Sequence, residues 1–136
     1  MSITRSAAVA ALLGLTAACG GPVDRAIQPG VGAAEALQRR LIEAKPGDIV
    51  TLAAGRFEFT DGLSLDQSKV TIRGAGPAQT ILSFKGQTGA GEGLLVTGDD
   101  VTLEGFAVED TKGDGIKSKG ADRITYRDLR VEWTRG

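Results

Sequence analysis

The densest run of ionisable side chains in this 136-residue chain lies between Glu104 and Arg130. Asp110, Lys112, Asp114, Lys117 and Lys119 fall in its first part, and Asp122, Arg123, Arg127, Asp128 and Arg130 in its second. Asp110 and Asp114 are candidate oxygen ligands for a hard cation such as calcium, and candidate binding groups for a substrate. Lys117 or Arg127 would then be the base that takes a proton from carbon next to a neutralised carboxylate. Hydrolysis by two carboxylates could use the same atoms, but spacing along the chain does not fix the carboxyl separation that reaction needs. Asp and Lys beside glycine also serve turns on a solvated surface, so the whole run fits a purely structural role as well. Asp99-Asp100 reads either way, as cation ligands or as a strand-ending turn. Trp133 would stack on a sugar if its ring faces outward, or would cap a core if it faces inward.

Composition removes several other chemistries. The chain has no histidine and one cysteine, which excludes a Ser-His-Asp arrangement, most zinc sites and any intrachain disulfide. A formal net charge of -1 gives no basic footprint for nucleic acid. With 41% hydrophobic and 24% charged residues the chain has the balance of a single soluble globular domain. Glycine is unusual, at 20 residues, about twice the usual share of roughly 7%. The glycines lack a period of three, so collagen is excluded, and Gly74-Ala75-Gly76 has neither the spacing nor the following helix of a phosphate loop.

The elements that must position the charged run are short and repeated. Val50-Thr51-Leu52, Val70-Thr71-Ile72, Val101-Thr102-Leu103 and Ile124-Thr125-Tyr126 are four versions of one strand, starting 20, 31 and 23 residues apart. Before three of them lies a second strand that opens on glycine: Gly62-Leu63-Ser64-Leu65, Gly93-Leu94-Leu95-Val96 and Gly115-Ile116-Lys117-Ser118. The long interval becomes regular if Lys85–Glu92 is an insertion. A unit this small cannot bury its own apolar side, whereas stacked units share a continuous core. The segments are too short and too β-branched for a helical solenoid, and the leucine-rich-repeat pattern is missing. What remains is an all-β fold, a β-solenoid whose turns each contribute two or three short parallel strands. Val70, Ile72, Val101, Leu103, Ile124 and Tyr126 are expected inside, with Thr71, Thr102 and Thr125 as an outward ladder. Gly74, Gly105 and Asp128 are expected where the chain must turn.

Ahead of the strands, Ala34, Leu37, Leu41, Ile42 and Ala44 form an apolar stripe at helical spacing over Ala33–Ala44, stopped by Pro46-Gly47. Such an amphipathic helix has a job at the N-terminal end of the stack, covering the exposed edges of the first turn. No comparable cap follows Val131–Gly136, so truncation at the C-terminus is expected.

At the start of the chain, Arg5 precedes the apolar run Ala7–Leu15 and then Thr16-Ala17-Ala18-Cys19. The run is too short for a spanning helix and suits a cleaved signal. It resembles a bacterial lipoprotein signal, although leucine stands one place further back than such signals usually have it. The resemblance implies a signal peptide over 1–18, a lipidated Cys19 anchoring the protein at the membrane, a tether over 19–30, and a cell-envelope location facing the periplasm or exterior. An ordinary secretory signal cleaved nearby is the alternative. Residues 31–136 are then the cap helix and first turns of the solenoid.

Helix, Pro-Gly-Asp, strand, Phe57-Glu58-Phe59, the Val-Thr-Ile-x-Gly units and the step Lys112-Gly113-Asp114-Gly115-Ile116 together resemble the right-handed parallel β-helix superfamily. That group includes pectate lyases, polygalacturonases and mannuronan C5-epimerases, and the likeness is nearest to bacterial β-helix lipoproteins. It covers Pro29–Gly136 and implies a right-handed parallel β-helix. For function it implies a carbohydrate-related role, binding and modifying an acidic polysaccharide by lyase or epimerase-like chemistry with calcium as cofactor. The Asp-Pro-His-Asp signature of the epimerases is absent, and the paired aspartates of polygalacturonases are not recognisable. A non-catalytic envelope scaffold that binds another protein is the competing class, because a fold does not give a function.

Overall fold

The structure, a computed structural model, describes residues 25–89 and 91–134. The segment expected as a signal, 1–18, and Cys19 lie outside the described residues. Helix α1 (Ala33–Glu43) is followed by β1 (Ile49–Thr51), β2 (Gly55–Glu58), β3 (Leu63–Leu65), β4 (Thr71–Arg73), β5 (Thr80–Ser83), β6 (Leu94–Val96), β7 (Thr102–Glu109), β8 (Ile116–Ser118) and β9 (Thr125–Glu132).

Every strand pair is parallel and joins one turn of the chain to the next. The first turn is β1–β2–β3 and the second β4–β5–β6. In the third, β7 does the work of two strands before β8, and in the fourth β9 lies along the whole of β7. The result is a parallel β-solenoid of the right-handed type, with two stacks merging through β7 and β9 and a separate stack β3–β6–β8. Three-residue strands are too short to be stable alone, so each draws its ladder bonds and its apolar neighbours from the turns on either side.

The core is a set of columns along the coil. Val50, Ile72 and Leu103 stack in one register, Phe57, Leu82 and Val108 in another, and Leu65 with Val96 in a third, all buried. The Phe59 and Phe84 rings stack at 4.8 Å and 17°. The outward ladder Thr71–Thr102–Thr125 is present as expected. The insertion is real as well. Between β5 and β6 the buried Gln87 donates to the Glu92 carbonyl at 3.1 Å and accepts from the Lys112 N–H at 2.9 Å, which pins that loop to the following turn.

Corners rest on backbone in the left-handed region. Gly105 (φ 76) and Asp128 (φ 53) occupy the same place in β7 and β9, and each lets one strand serve two sheets. The neighbouring Gly74 has no room for a side chain, because a Cβ there would fall against the Gly105 carbonyl oxygen and come within 2.9 Å of the Thr80 Cβ. A second corner column runs Gly47, Lys69, Asp100 and Arg123, all with positive φ (94, 61, 56 and 58). Left-handed backbone costs a residue with a Cβ roughly 1–2 kcal/mol. Here it is held by bonds between turns, from Lys69 N–H to Asp99 O at 2.8 Å and from Asp100 N–H to Asp122 O at 2.9 Å.

The N-terminal end is closed in three ways. Leu37 and Leu41 of α1 are buried against the first turn. The Gln38 amide donates to Ser64 O at 3.1 Å and accepts from Ser64 N–H at 3.0 Å, which occupies backbone groups on the free edge of β3. Ile27 forms a parallel bridge to Leu52, through Ile27 N–H to Thr51 O at 2.8 Å and Ala53 N–H to Ile27 O at 2.9 Å. Part of the segment expected as a tether, from Ile27 on, is therefore attached to the first turn.

Four expectations need correction. Val50 pairs with Ile72 and not with Val70; a two-residue slip keeps every side chain on its face, so alternation alone cannot detect it. Ile42 is 64% exposed, because the stripe that faces the coil is Ala33, Leu37, Leu41 and Ala44. Tyr126 sits in the inward column but is 50% exposed, since no strand lies beyond β9 among the described residues. The third strand of each turn, β2 and β5, went unseen as a repeat because its third and fourth copies are fused into β7 and β9.

Leu41→Ala should cost about 2–5 kcal/mol of unfolding free energy in urea, and Ile42→Ala less than about 0.5 kcal/mol. Equal costs would mean that α1 does not cover the coil through this face.

Candidate functional site

One residue after each Val-Thr-Ile type strand core, three charged side chains stand in a column on the outer face: Arg73 on β4, Glu104 on β7 and Arg127 on β9. Strand alternation aims them at solvent while their neighbours Ile72 and Leu103 fill the core. Glu104 is held from both sides. Its Oε2 accepts from Arg73 Nε at 2.5 Å and its Oε1 from Arg127 Nη1 at 3.0 Å. The Arg73 hydrogen bond holds the Glu104 carboxyl below its ordinary pKa against the opposing effect of burial, and the charges of both arginines and the Arg127 bond add to it.

A guanidinium carries five N–H donors and no acceptor. Each arginine spends one on Glu104, and their side chains are 48% and 66% exposed, so the rest face solvent. The column lines a cleft of about 240 Å³ together with Gly74, Gly105 and Asp128.

On the adjoining strip, Glu109 is buried between Arg56 (3.4 Å) and Arg130 (2.9 Å), and Arg130 also reaches Glu132 at 3.0 Å. Arg130 Nη2 further donates to Pro77 O at 3.2 Å, tying β9 to the loop before β5. This network is closed on itself and stabilises the strip. Arg123 makes a two-pronged contact with Asp100 (2.6 and 3.0 Å), which lowers the Asp100 pKa through that hydrogen bond. Asp99-Asp100 is thus a corner with a partner in the next turn.

The structure divides the residues singled out from sequence. Lys117, exposed on β8, pairs with Asp114 at 3.3 Å and lies 3.9 Å from Glu92. Glu92 in turn lines a cleft of about 300 Å³ under the inserted loop, with Asp61, Ser64, Gln87 and Leu95. Arg127 belongs to the other site, on a different sheet. Asp110 (φ 61) and Trp133 (φ 57) are equivalent corner residues on successive turns, joined by Asp110 N–H to Glu132 O at 3.1 Å, and Trp133 is 64% exposed. Calcium takes six to eight oxygens, and no group of three or more acidic, His or Cys side chains able to hold a metal occurs among the described residues. Asp110 and Asp114 alone do not make such a site.

Arg73 and Glu104 were passed over in the sequence. Their signal was present, since Arg73, Glu104 and Arg127 each follow Val70, Val101 and Ile124 by three places. No protein-family model, curated protein or solved structure matches the chain. The likeness to parallel β-helix proteins therefore extends to the fold, a β-solenoid with an N-terminal helix. Among the described residues no helix is long and apolar enough to cross a membrane.

Asp48 behaves like Glu104 and Asp100, its pKa lowered by the Lys45 N–H and by Arg40. Carboxyls whose folded pKa lies below the unfolded value bind fewer protons in the folded chain, so their stabilisation is complete above the unfolded values near 4. It is lost as pH falls through the lower folded values. Urea stability should therefore drop on acidification from about pH 5 to about pH 2, with a shallower drop for Glu104→Gln. An unchanged slope in that variant would contradict the Arg73–Glu104–Arg127 column.

Proposed function

We propose that the chain is a cell-envelope binding scaffold with a carbohydrate-related role, holding an acidic polysaccharide along the outer face of β4, β7 and β9. The observation that carries this reading is the pair of exposed guanidinium groups, Arg73 and Arg127, held by one carboxylate on the edge of a cleft. Arginine donors match carboxylates in pairs, and an extended polymer suits a column that repeats along the coil. Binding is favoured over turnover because the two candidate bases stand on different sheets, Lys117 among Asp114 and Glu92, and Arg127 against Glu104. Arg127 is thus assigned to holding substrate carboxylate. A scaffold for another envelope protein is the second reading, supported by the long ladder face Thr71–Thr102–Thr125.

Titration of the full chain with polygalacturonate and alginate, with and without calcium, should show binding without the ultraviolet absorbance of unsaturated uronate. Arg73→Ala and Arg127→Ala should each weaken it roughly tenfold or more, the worth of a charge-assisted hydrogen bond. Binding that ignores both substitutions would contradict this site, and no binding to either polymer would favour the protein scaffold. Product formation would restore the lyase reading.

The envelope assignment rests on Arg5, the apolar run Ala7–Leu15 and Cys19. Cys19→Ser should move the protein from the membrane to the soluble fraction. Unchanged partition would exclude lipidation as the anchor.

A further inference from the structure

The insertion Lys85–Glu92 takes no part in the Arg73–Glu104–Arg127 column, yet it builds a wall. Thr88 N–H donates to Thr60 O at 3.2 Å and the Gln87 amide bonds the Glu92 carbonyl, which fixes the loop beside the segment between β2 and β3. The cleft of about 300 Å³ under it shares Thr60, Asp61, Gly62 and Leu63 with a second cleft, of about 380 Å³, that reaches α1. The two halves differ in chemistry. On the α1 side, buried Phe59 and Leu63 and the exposed Ile42 make an apolar lining, and the charges of Glu35 and Arg39 there balance. On the loop side two carboxylates, Asp61 and Glu92, face no basic side chain among the described residues that line the cleft. Asp61 is exposed and has no salt-bridge partner among the described residues. Glu92 meets Lys117 only at 3.9 Å, and Lys117 stands closer to Asp114.

We infer that the paired clefts take an extended segment of a partner protein in which an apolar and a basic side chain occupy alternate positions. In an extended chain such side chains share a face, so the apolar one enters the α1 half while the basic one reaches Asp61 and Glu92 across the shared wall. Charge selects the cation, since a carboxylate-lined cleft attracts an ammonium or guanidinium and repels an acidic side chain. The α1 half, its own charges balanced, favours neither sign, and burial of an apolar side chain against Phe59 and Leu63 supplies its share of affinity. Both halves stand ready before the segment arrives. Phe59 is stacked on Phe84, and the loop is pinned to Thr60 and to the Lys112 N–H. Preformed clefts avoid the cost of ordering the protein on binding. The clefts border the stack β3–β6–β8, whereas the arginine column lies on the other sheet, so this inference does not depend on polymer binding there.

Fluorescence anisotropy of the full chain with a fluorescein-labelled, amidated peptide Gly-Ser-Leu-Ser-Lys-Ser-Gly tests this. The peptide should bind saturably below millimolar concentration. Glutamate in place of its lysine, or serine in place of its leucine, should each weaken binding roughly tenfold or more. On the protein, Asp61→Asn should weaken it to a similar degree and Ile42→Ala several-fold. Both residues are exposed, so both variants should keep the far-ultraviolet circular dichroism of the parent. Absence of saturable binding overturns the inference, and so does binding that both protein substitutions leave unchanged. A peptide that binds as tightly with serine as with leucine shows a site for a cation alone and overturns the paired clefts. Should one variant lose its fold, the other decides: weakening supports the site and no effect overturns it.

Discussion

Each turn of this chain is too thin to satisfy itself, so every backbone donor and acceptor and every apolar side chain must find its partner one turn away, in register. That requirement of register dictates the sequence. A position along the turn becomes a column along the coil, and whatever residue type the column accepts must tolerate its own kind roughly 4.8 Å away. Val50, Ile72 and Leu103 do so by packing. Thr71, Thr102 and Thr125 do so by stacking β-branched chains outward. Charged columns alternate in sign, as Arg73, Glu104 and Arg127 do and as Lys69, Asp100 and Arg123 do at the corner, or carry a bridging counter-charge, as Arg130 supplies between Glu109 and Glu132. A like-charged replacement in either column would set one sign against itself on adjacent turns without such a bridge.

The same constraint makes the start of the coil a costly part of the fold, because the outer edge of the first turn has no turn before it to pair with. The first turn answers with an amphipathic helix, a borrowed side-chain amide and a strand fragment. Gln38 is the most economical of these, since one amide group meets both a donor and an acceptor of Ser64. Between the ends, the loop from β5 to β6 shows how the coil tolerates insertion. Buried Gln87 turns its amide to the loop and to the next turn, so extra residues are added without breaking the stack.

Much of this was legible in the sequence, for reasons tied to particular residues. The Val-Thr-Ile cores and the strands opening on Gly62, Gly93 and Gly115 revealed the repeat, because β-branched runs and close backbone contacts leave few alternatives. Leu37 and Leu41 revealed the helix. The corner at Lys69, Asp100 and Arg123 was not legible, since lysine and arginine carry no signal for left-handed backbone and only the ladder above and below imposes it. Neither was the burial of Glu109, which depends on Arg56 and Arg130 arriving from turns on either side. For the candidate site, Arg127 was found and its partners Arg73 and Glu104 were not. Charged groups close in sequence stand out as clusters, whereas a solenoid assembles its groups from residues a full turn apart.

The stacking register is the claim on which the candidate site rests, and nuclear Overhauser contacts in solution read it directly. Side-chain and amide contacts should link Val50 to Ile72, Ile72 to Leu103 and Leu103 to Tyr126, the observed parallel partners. Contacts that instead join Val50 to Val70, or neighbouring strands as hairpins, would contradict the stack and dissolve the Arg73–Glu104–Arg127 column with it.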